Sequence, residues 1–343
     1  MMTANRIQRR TFLMMPLAAA GLCAAPDPAA PSRTGVLLLA HGGRLASWDQ
    51  EVNRIAAEVD RTYPAEVAFG MAARANIQAA IDRLIARRIS RIVAVPLFIS
   101  SHSSVIRSTE WLLGLRSEMP AEYKLFASMS HGHGAHGAHG HHALSDDALK
   151  PVKVDVPVTM TSAINRHPIA ADILMDRARE ISRDPSKEVV VLVAHGPNSD
   201  DDNAKWLEDL AALADRMQER TKFARIDYLT VRDDAKAEVR EKAKAEFRAL
   251  VEKAMREGHH ALIVPVLLSY GGIEEGIRKR LEGLEFTMAT QALLPDTRIA
   301  TWVLESVRPH VQGTSRQLPN EAPAACVRLR KRFVARADQE IAE

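Results

Sequence analysis

Gly35-Val36-Leu37-Leu38-Leu39-Ala40-His41-Gly42 is an unbroken apolar run that ends in a histidine and a glycine, and Val189-Val190-Val191-Leu192-Val193-Ala194-His195-Gly196 repeats it 154 residues later. A strand that is apolar at every position, with no alternation, is buried on both faces, as a central strand of a parallel sheet is. Each run therefore predicts the first strand of an α/β unit, with its histidine at the carboxyl end.

The rest of each half keeps the same rhythm. In the first half, strands expected over 66–71, 91–99 and 156–163 alternate with helices over 48–62, 76–88, 105–115 and 169–182, with Ser47 as the N-cap of the first helix. In the second half, strands over 225–231, 261–269 and from Thr287-Met288 alternate with helices over 204–220, 235–257, 273–284 and 299–307. This alternation predicts a parallel sheet with helices on both faces. Val95-Pro96-Leu97-Phe98-Ile99-Ser100 is echoed by Val264-Pro265-Val266-Leu267-Leu268-Ser269, and Thr159-Met160 by Thr287-Met288. The chain reads as a duplication: a unit over 34–184, a second over 185–312, a leading segment 1–33 and a polar tail 313–343.

The 343 residues are 46% hydrophobic, enough for two ordinary cores, and the formal net charge is only +3. Basic and acidic residues are interspersed and aromatic residues make up 5%, which argues against a nucleic-acid partner. Of the two cysteines, Cys23 falls in the leading segment and Cys326 in the tail, so the units rely on packing rather than on an internal disulfide.

Arg6, Arg9 and Arg10 precede the apolar run Phe12-Leu13-Met14-Met15-Pro16-Leu17-Ala18-Ala19-Ala20, which is too short to span a bilayer. This is the order of an export signal. Arg9-Arg10-Thr11-Phe12-Leu13 is similar to the twin-arginine type, so the expected partner is the twin-arginine export machinery and the expected location the periplasm. A lipoprotein anchored at Cys23 fits less well, because Leu22 stands where a small residue is expected.

Between the matched landmarks, His41 to Met160 spans 119 residues and His195 to Met288 spans 93, which leaves 26 extra residues in the first half. They correspond to an insertion over about 124–149 that holds His131, His133, His136, His139, His141 and His142 among glycines and alanines. Such a stretch cannot pack a core, and its imidazoles chelate divalent metal, which suits a reservoir or delivery arm; the alternative is a linker without a role.

In open parallel sheets, ligands bind beyond the carboxyl ends of the strands. His41, His195 and His102, in Ser100-Ser101-His102-Ser103-Ser104, all fall there. The first and third strands of such a unit are commonly neighbours, which would put His41 and His102 on one rim as a metal site, and imidazole suits Co, Ni, Fe and Zn; His195 is the weaker candidate. Asn198-Ser199-Asp200-Asp201-Asp202-Asn203 reads either as a helix cap or as a cation loop. No nucleotide motif is present.

Gly35 to Arg44, Val95 to His102 and Thr159-Met160 with His167-Pro168 resemble the sirohydrochlorin cobaltochelatase and ferrochelatase family, the class II tetrapyrrole chelatases, in a long two-unit form covering about residues 35–310. The resemblance implies two tandem chelatase-like domains, each a parallel sheet of about four strands flanked by helices. It implies a tetrapyrrole in the cleft between the units and a metal held by a histidine from the first strand and another after the third. His41 and His195 match the first of these. By spacing from Pro96 the second falls at Ser104, with His102 two residues early, and Ile273 stands there in the second half. The family's glutamate, two residues after an aromatic on the second strand, is replaced by Met71 and Thr230. Glu110, Glu274 and Glu275 are candidate substitutes or solvated helix charges. Three readings follow: a chelatase using His41; an exported, non-catalytic metal or tetrapyrrole carrier; and, least favoured, a histidine phosphatase, which needs an arginine where Ala40 and Ala194 stand. A duplicated chain forms the cleft as a monomer; a dimer is also open.

Overall fold

The two apolar runs become the central strands of two parallel four-stranded sheets. The computed structural model describes residues 33–43, 45–130 and 147–312. The first sheet has the order β2-β1-β3-β4, from β1 (Thr34–Ala40), β2 (Ala65–Phe69), β3 (Arg91–Pro96) and β4 (Val158–Met160). The second has the order β6-β5-β7-β8, from β5 (Glu188–Ala194), β6 (Arg225–Thr230), β7 (His260–Val266) and β8 (Phe286–Met288). Every residue of β1 and β5 is buried, the apolar runs together with Thr34 and Glu188 that start them.

The duplication extends to the ladder register. Val36 lies opposite Val93 in one sheet and Val190 opposite Leu262 in the other. Thr159-Met160 pairs with Val93-Ala94 just as Thr287-Met288 pairs with Leu262-Ile263.

The helices are α1 (Ala46–Asp60), α2 (Arg74–Ala86), α3 (Ser104–Leu112), α4 (Tyr123–Ser130) and α5 (Pro168–Ile181) in the first half. The second half has α6 (Asp200–Gln218), α7 (Ala237–Arg256), α8 (Ile273–Arg280) and α9 (Arg298–Gln312). Among the described residues, no helix is long and apolar enough to cross a membrane.

The closing helices are exchanged. α5, the last helix of the first half, packs on β7 and α6 of the second; α9, the last of the second, packs on β3 and α1 of the first. Arg177 of α5 donates from Nε to the Ala292 carbonyl at 2.9 Å, and Arg91 of β3 donates to the His310 carbonyl at 3.1 Å. The inner faces of both sheets and the helices α1, α5, α6 and α9 consequently share one continuous core, including Leu38, Val93, Leu174, Leu192, Val264 and Trp302. Smaller apolar clusters cover the outer faces, one around Leu84, Trp111 and Tyr123 and one around Phe247, Val251 and Ile277.

Three expectations change. Ser47 does not cap α1: the helix starts at Ala46, after Leu45, which makes no side-chain cap. Trp48 is drawn under Gly43 and buried, and Asp49 Oδ1 accepts the Gly43 N–H from inside the first turn. The insertion is not loop throughout. α4 forms within it because Tyr123 is fully buried, its ring 4.6 Å from that of Trp111, and its hydroxyl donates to the Ala148 carbonyl at 2.7 Å. Burial also pushes the Tyr123 phenol up to about 12. Finally, α9 runs on to Gln312 with Pro309 inside it. The export signal with Arg9 and Arg10, both cysteines, Arg44, the histidines at 131–142 and the tail 313–343 lie outside the described residues.

Candidate functional site

Both Ala-His-Gly ends turn sharply off their strands. Gly42 and Gly196 adopt φ of 84° and 76°, a left-handed conformation that glycine takes without penalty. The two histidines they release are used differently.

His41 is exposed, and its Nδ1 lies 2.9 Å from the Gly42 carbonyl. A carbonyl only accepts, so Nδ1 carries the proton in that bond. The neutral imidazole then has its lone pair on Nε2, the arrangement in which a histidine binds a metal with the other ring nitrogen fixed by backbone. His195 has its Nε2 at 3.5 Å from Asp234 Oδ2, so that nitrogen faces a carboxylate of its own half.

β1 and β3 are neighbours, which puts His41 and His102 at the same rim. The structure brings the His102 loop chiefly to the second half. Its carbonyl accepts from Trp206 Nε1 of α6 at 2.7 Å, and its N–H donates to Ser100 Oγ. Its ring also lies near Glu208 of α6, whose carboxyl is held below the usual range mainly by the Lys205 hydrogen bond, with His102 among the smaller contributors. Ser104 is the first residue of α3, behind its cap Ser103, whose Oγ accepts from Ile106 N. Among the described residues, no group of three or more His, Cys, Asp or Glu is placed to hold a metal.

The rim of each half is closed by the other. Gly43 abuts Trp48, leaving no room for a side chain, and Gly271 of the β7–α8 loop sits against the same tryptophan. Ser269 Oγ donates to Glu51 of α1. On the other side Trp206 holds the His102 loop, and Arg107 of α3 forms a two-bonded pair with Asp202 at 2.9 and 3.0 Å. The acidic run is thus a helix start, with Ser199 Oγ accepting from Asp202 N, and it also ties the halves together.

Of the three candidate substitute carboxylates, Glu275 is exposed and the other two are engaged elsewhere. Glu110 pairs with Arg116 at 3.0 Å, and Glu274 accepts the N–H groups of Gly271 and Gly272. Tyr270 and Ile273 pack against the outer core of the second half, where the Tyr270 hydroxyl, its pKa raised by burial, donates to the Ala289 carbonyl at 2.6 Å. Beyond the end of β6, Arg232 stands beside His195: its N–H donates to the His195 carbonyl at 2.7 Å, while its guanidinium binds Asp200 and the Pro197 and Asn198 carbonyls. A cavity of about 800 Å3 runs along the outer edge of β4; Ser101, Ile106, Thr159, Met160 and His310 line it, and none of the three rim histidines does.

Sequence reasoning missed Asp234, Asp209 and Arg166, because their placement depends on loops and on chain crossing that no local pattern records. Arg166 Nε donates to Asp209 Oδ1 of α6 at 2.9 Å.

Residues 35–181 match the CbiX family model. Among solved structures, SirB from Bacillus subtilis with Fe3+ is 15% identical, covers 84% of this chain and 100% of its own, and gives a TM-score of 0.55. The sirohydrochlorin chelatase SirB from Bacillus subtilis subspecies spizizenii, in complex with cobalt, is 13% identical, covers 83% and 98%, and gives 0.51. These two likenesses establish the fold. No curated protein sequence matches.

Proposed function

We propose, from the match of residues 35–181 to the CbiX family model and from the fold shared with SirB, that the protein is a sirohydrochlorin-type chelatase that takes a divalent metal, Co2+, Ni2+ or Fe2+, as substrate on His41 and delivers it to a tetrapyrrole over the strand ends. The observation that carries this reading is the placement of His41: exposed at the strand end, with Nδ1 donating to the Gly42 carbonyl and Nε2 bonded to no described residue. A single imidazole, with His102 as its one candidate partner on that rim, holds a first-row metal loosely, which suits transfer more than storage. The wall of the second half, through Gly271 and Ser269, closes the rim on which the metal would sit.

Metal entry expels two protons from the pyrrole nitrogens, and a base nearby speeds that step. Beyond the end of β2 the position of the family's carboxylate is Met71, so on this reading the protons leave to solvent or to His41 itself once the metal has moved on. The missing carboxylate favours a second reading, an exported carrier that binds metal or tetrapyrrole without catalysis. The Arg9-Arg10 signal and the histidines at 131–142 suit either reading, as periplasmic address and metal-gathering arm.

The test is to incubate the protein with sirohydrochlorin and Co2+ or Ni2+ and follow the absorbance change. A rate above the spontaneous one that His41→Ala abolishes and His195→Ala leaves intact supports the chelatase. No acceleration, with metal binding that still depends on His41, favours the carrier.

A further inference from the structure

We propose that Arg166, anchored by Asp209 from the opposite half, is the residue with which the first rim grips a carboxylate of its ligand. The proposal rests on the tetrapyrrole reading above, since sirohydrochlorin is a polycarboxylate.

Arg166 lies in the turn between β4 and α5, at the carboxyl end of the first sheet. That turn is fixed to the His102 loop. Asn165, at φ of 45°, accepts the Ser101 N–H on its side-chain oxygen at 2.8 Å and donates its own N–H to the Ile99 carbonyl at 2.9 Å. Ser101 Oγ accepts the Ala163 N–H at 2.9 Å. The side chain is fixed as well, through Nε and Asp209 Oδ1. Yet Asp209 is 6% exposed and Arg166 57%. The buried end of the pair is sealed, and the guanidinium stands in solvent with no described residue on its terminal nitrogens. Those nitrogens form the fork that takes a carboxylate in two parallel bonds.

Two observations separate this from an ordinary surface ion pair. The turn itself does not need an arginine: the matching turn in the second half, where the Leu293 and Leu294 N–H groups bond the Leu267 and Leu268 carbonyls as Ile164 and Asn165 bond Phe98 and Ile99, continues into Pro295. And Asp209 Oδ2 is buried without a hydrogen-bond partner, a costly group that the anchored arginine partly neutralises. The neighbouring acid, Glu208, is taken by Lys205 at 2.9 and 3.1 Å and does not compete for the fork.

The test uses the full chain without metal and follows fluorescence on titration with uroporphyrin, which carries eight carboxylates, and with a porphyrin bearing neutral polyether chains. Arg166→Gln should weaken uroporphyrin binding about tenfold and leave the neutral porphyrin within twofold. Asp209→Asn should give a smaller loss of the same selectivity, and Co2+ affinity should not move in either. Arg166→Lys keeps the charge without the fork: it should restore any lost thermal stability and still bind uroporphyrin weakly. Equal losses for both porphyrins, or none, overturn the proposal while leaving the chelatase reading intact. Failure of the unaltered protein to bind either porphyrin defeats both.

Discussion

His41 and His195 occupy the same position in two sheets of matched register, yet each engages a different ring nitrogen with a different kind of partner. His41 turns its Nδ1 to the backbone and leaves Nε2 open, whereas His195 turns Nε2 to Asp234. The neighbouring residues differ in the same sense: Met71 follows β2 in the first half, while Arg232 follows β6 and locks the loop after His195 through Asp200 and two carbonyls. The two Trp contacts across the halves, by contrast, are retained: Trp48 packs on Gly271, and Trp206 bonds the His102 carbonyl. The two halves thus share the contacts that hold them together and differ at their rims, where the loop after His195 is tied down by Arg232 and the turn after β2 carries Met71 instead.

The strongest way to break this comparison is to separate the halves. Because α5 lies on the second sheet and α9 on the first, a chain ending at residue 184 keeps a helix it cannot use and loses the one that covers β3 and α1. It would expose Leu38, Val93 and Val95 on one side and Ile173, Leu174 and Met175 on the other. At about 1.5–3 kcal/mol for each large apolar side chain, this is as large as the whole stability of about 5–15 kcal/mol typical of such a protein. The expected product is an aggregate or an exchanged dimer. A monomer by size-exclusion chromatography with a cooperative thermal transition would refute the account.

A smaller effect distinguishes the two turns. Gly42→Ala meets nothing closer than 3.9 Å and suffers only the left-handed strain, about 1–2 kcal/mol. Gly196→Ala adds a contact of 2.5 Å with Thr230 Cβ, so overpacking of about 1–3 kcal/mol comes on top. Urea midpoints of the two variants should differ in that order; coincident midpoints would mean the second turn is no more tightly packed than the first.

The sheets were legible in the sequence because β1 and β5 are apolar without alternation and the dipeptides Thr159-Met160 and Thr287-Met288 mark equal places in the ladder. The rim positions of His41 and His195 followed from the strand ends alone. The exchange of α5 and α9 was not legible: both are amphipathic helices of ordinary composition, and nothing in either says which sheet its apolar face will cover. Nor was the tie of His102 to α6, since Trp206 looks like any core aromatic until the halves are joined. The helix α4 was hidden because its buried residues, Tyr123, Phe126 and Ala127, border a stretch whose composition reads as loop.

The smallest expected effect concerns the caps of the two exchanged helices, which occupy equivalent turns. His167 Nδ1 accepts the Ile169 N–H at 3.3 Å at the start of α5, and Asp296 Oδ1 accepts the Arg298 N–H at 2.9 Å at the start of α9. Burial lowers the His167 pKa from 6.5, with Glu305 at 3.9 Å opposing in part. A ring that accepts through Nδ1 must lose that bond when protonated. The unfolded chain therefore binds the proton more tightly than the folded one. The cap's contribution is complete above pH 6.5 and is lost as pH falls through the lower folded value. Asp296 behaves otherwise: burial pushes its carboxyl up, the Arg298 hydrogen bonds more than reverse that, and it stays ionised across the same window. Denaturant stability should thus fall by about 1 kcal/mol from pH 7 to pH 5 through the His167 cap, the usual worth of an N-cap. His167→Asp, which copies the second half's cap, should flatten that slope. An unchanged slope in the variant would assign the pH dependence to some other group and remove this difference between the halves.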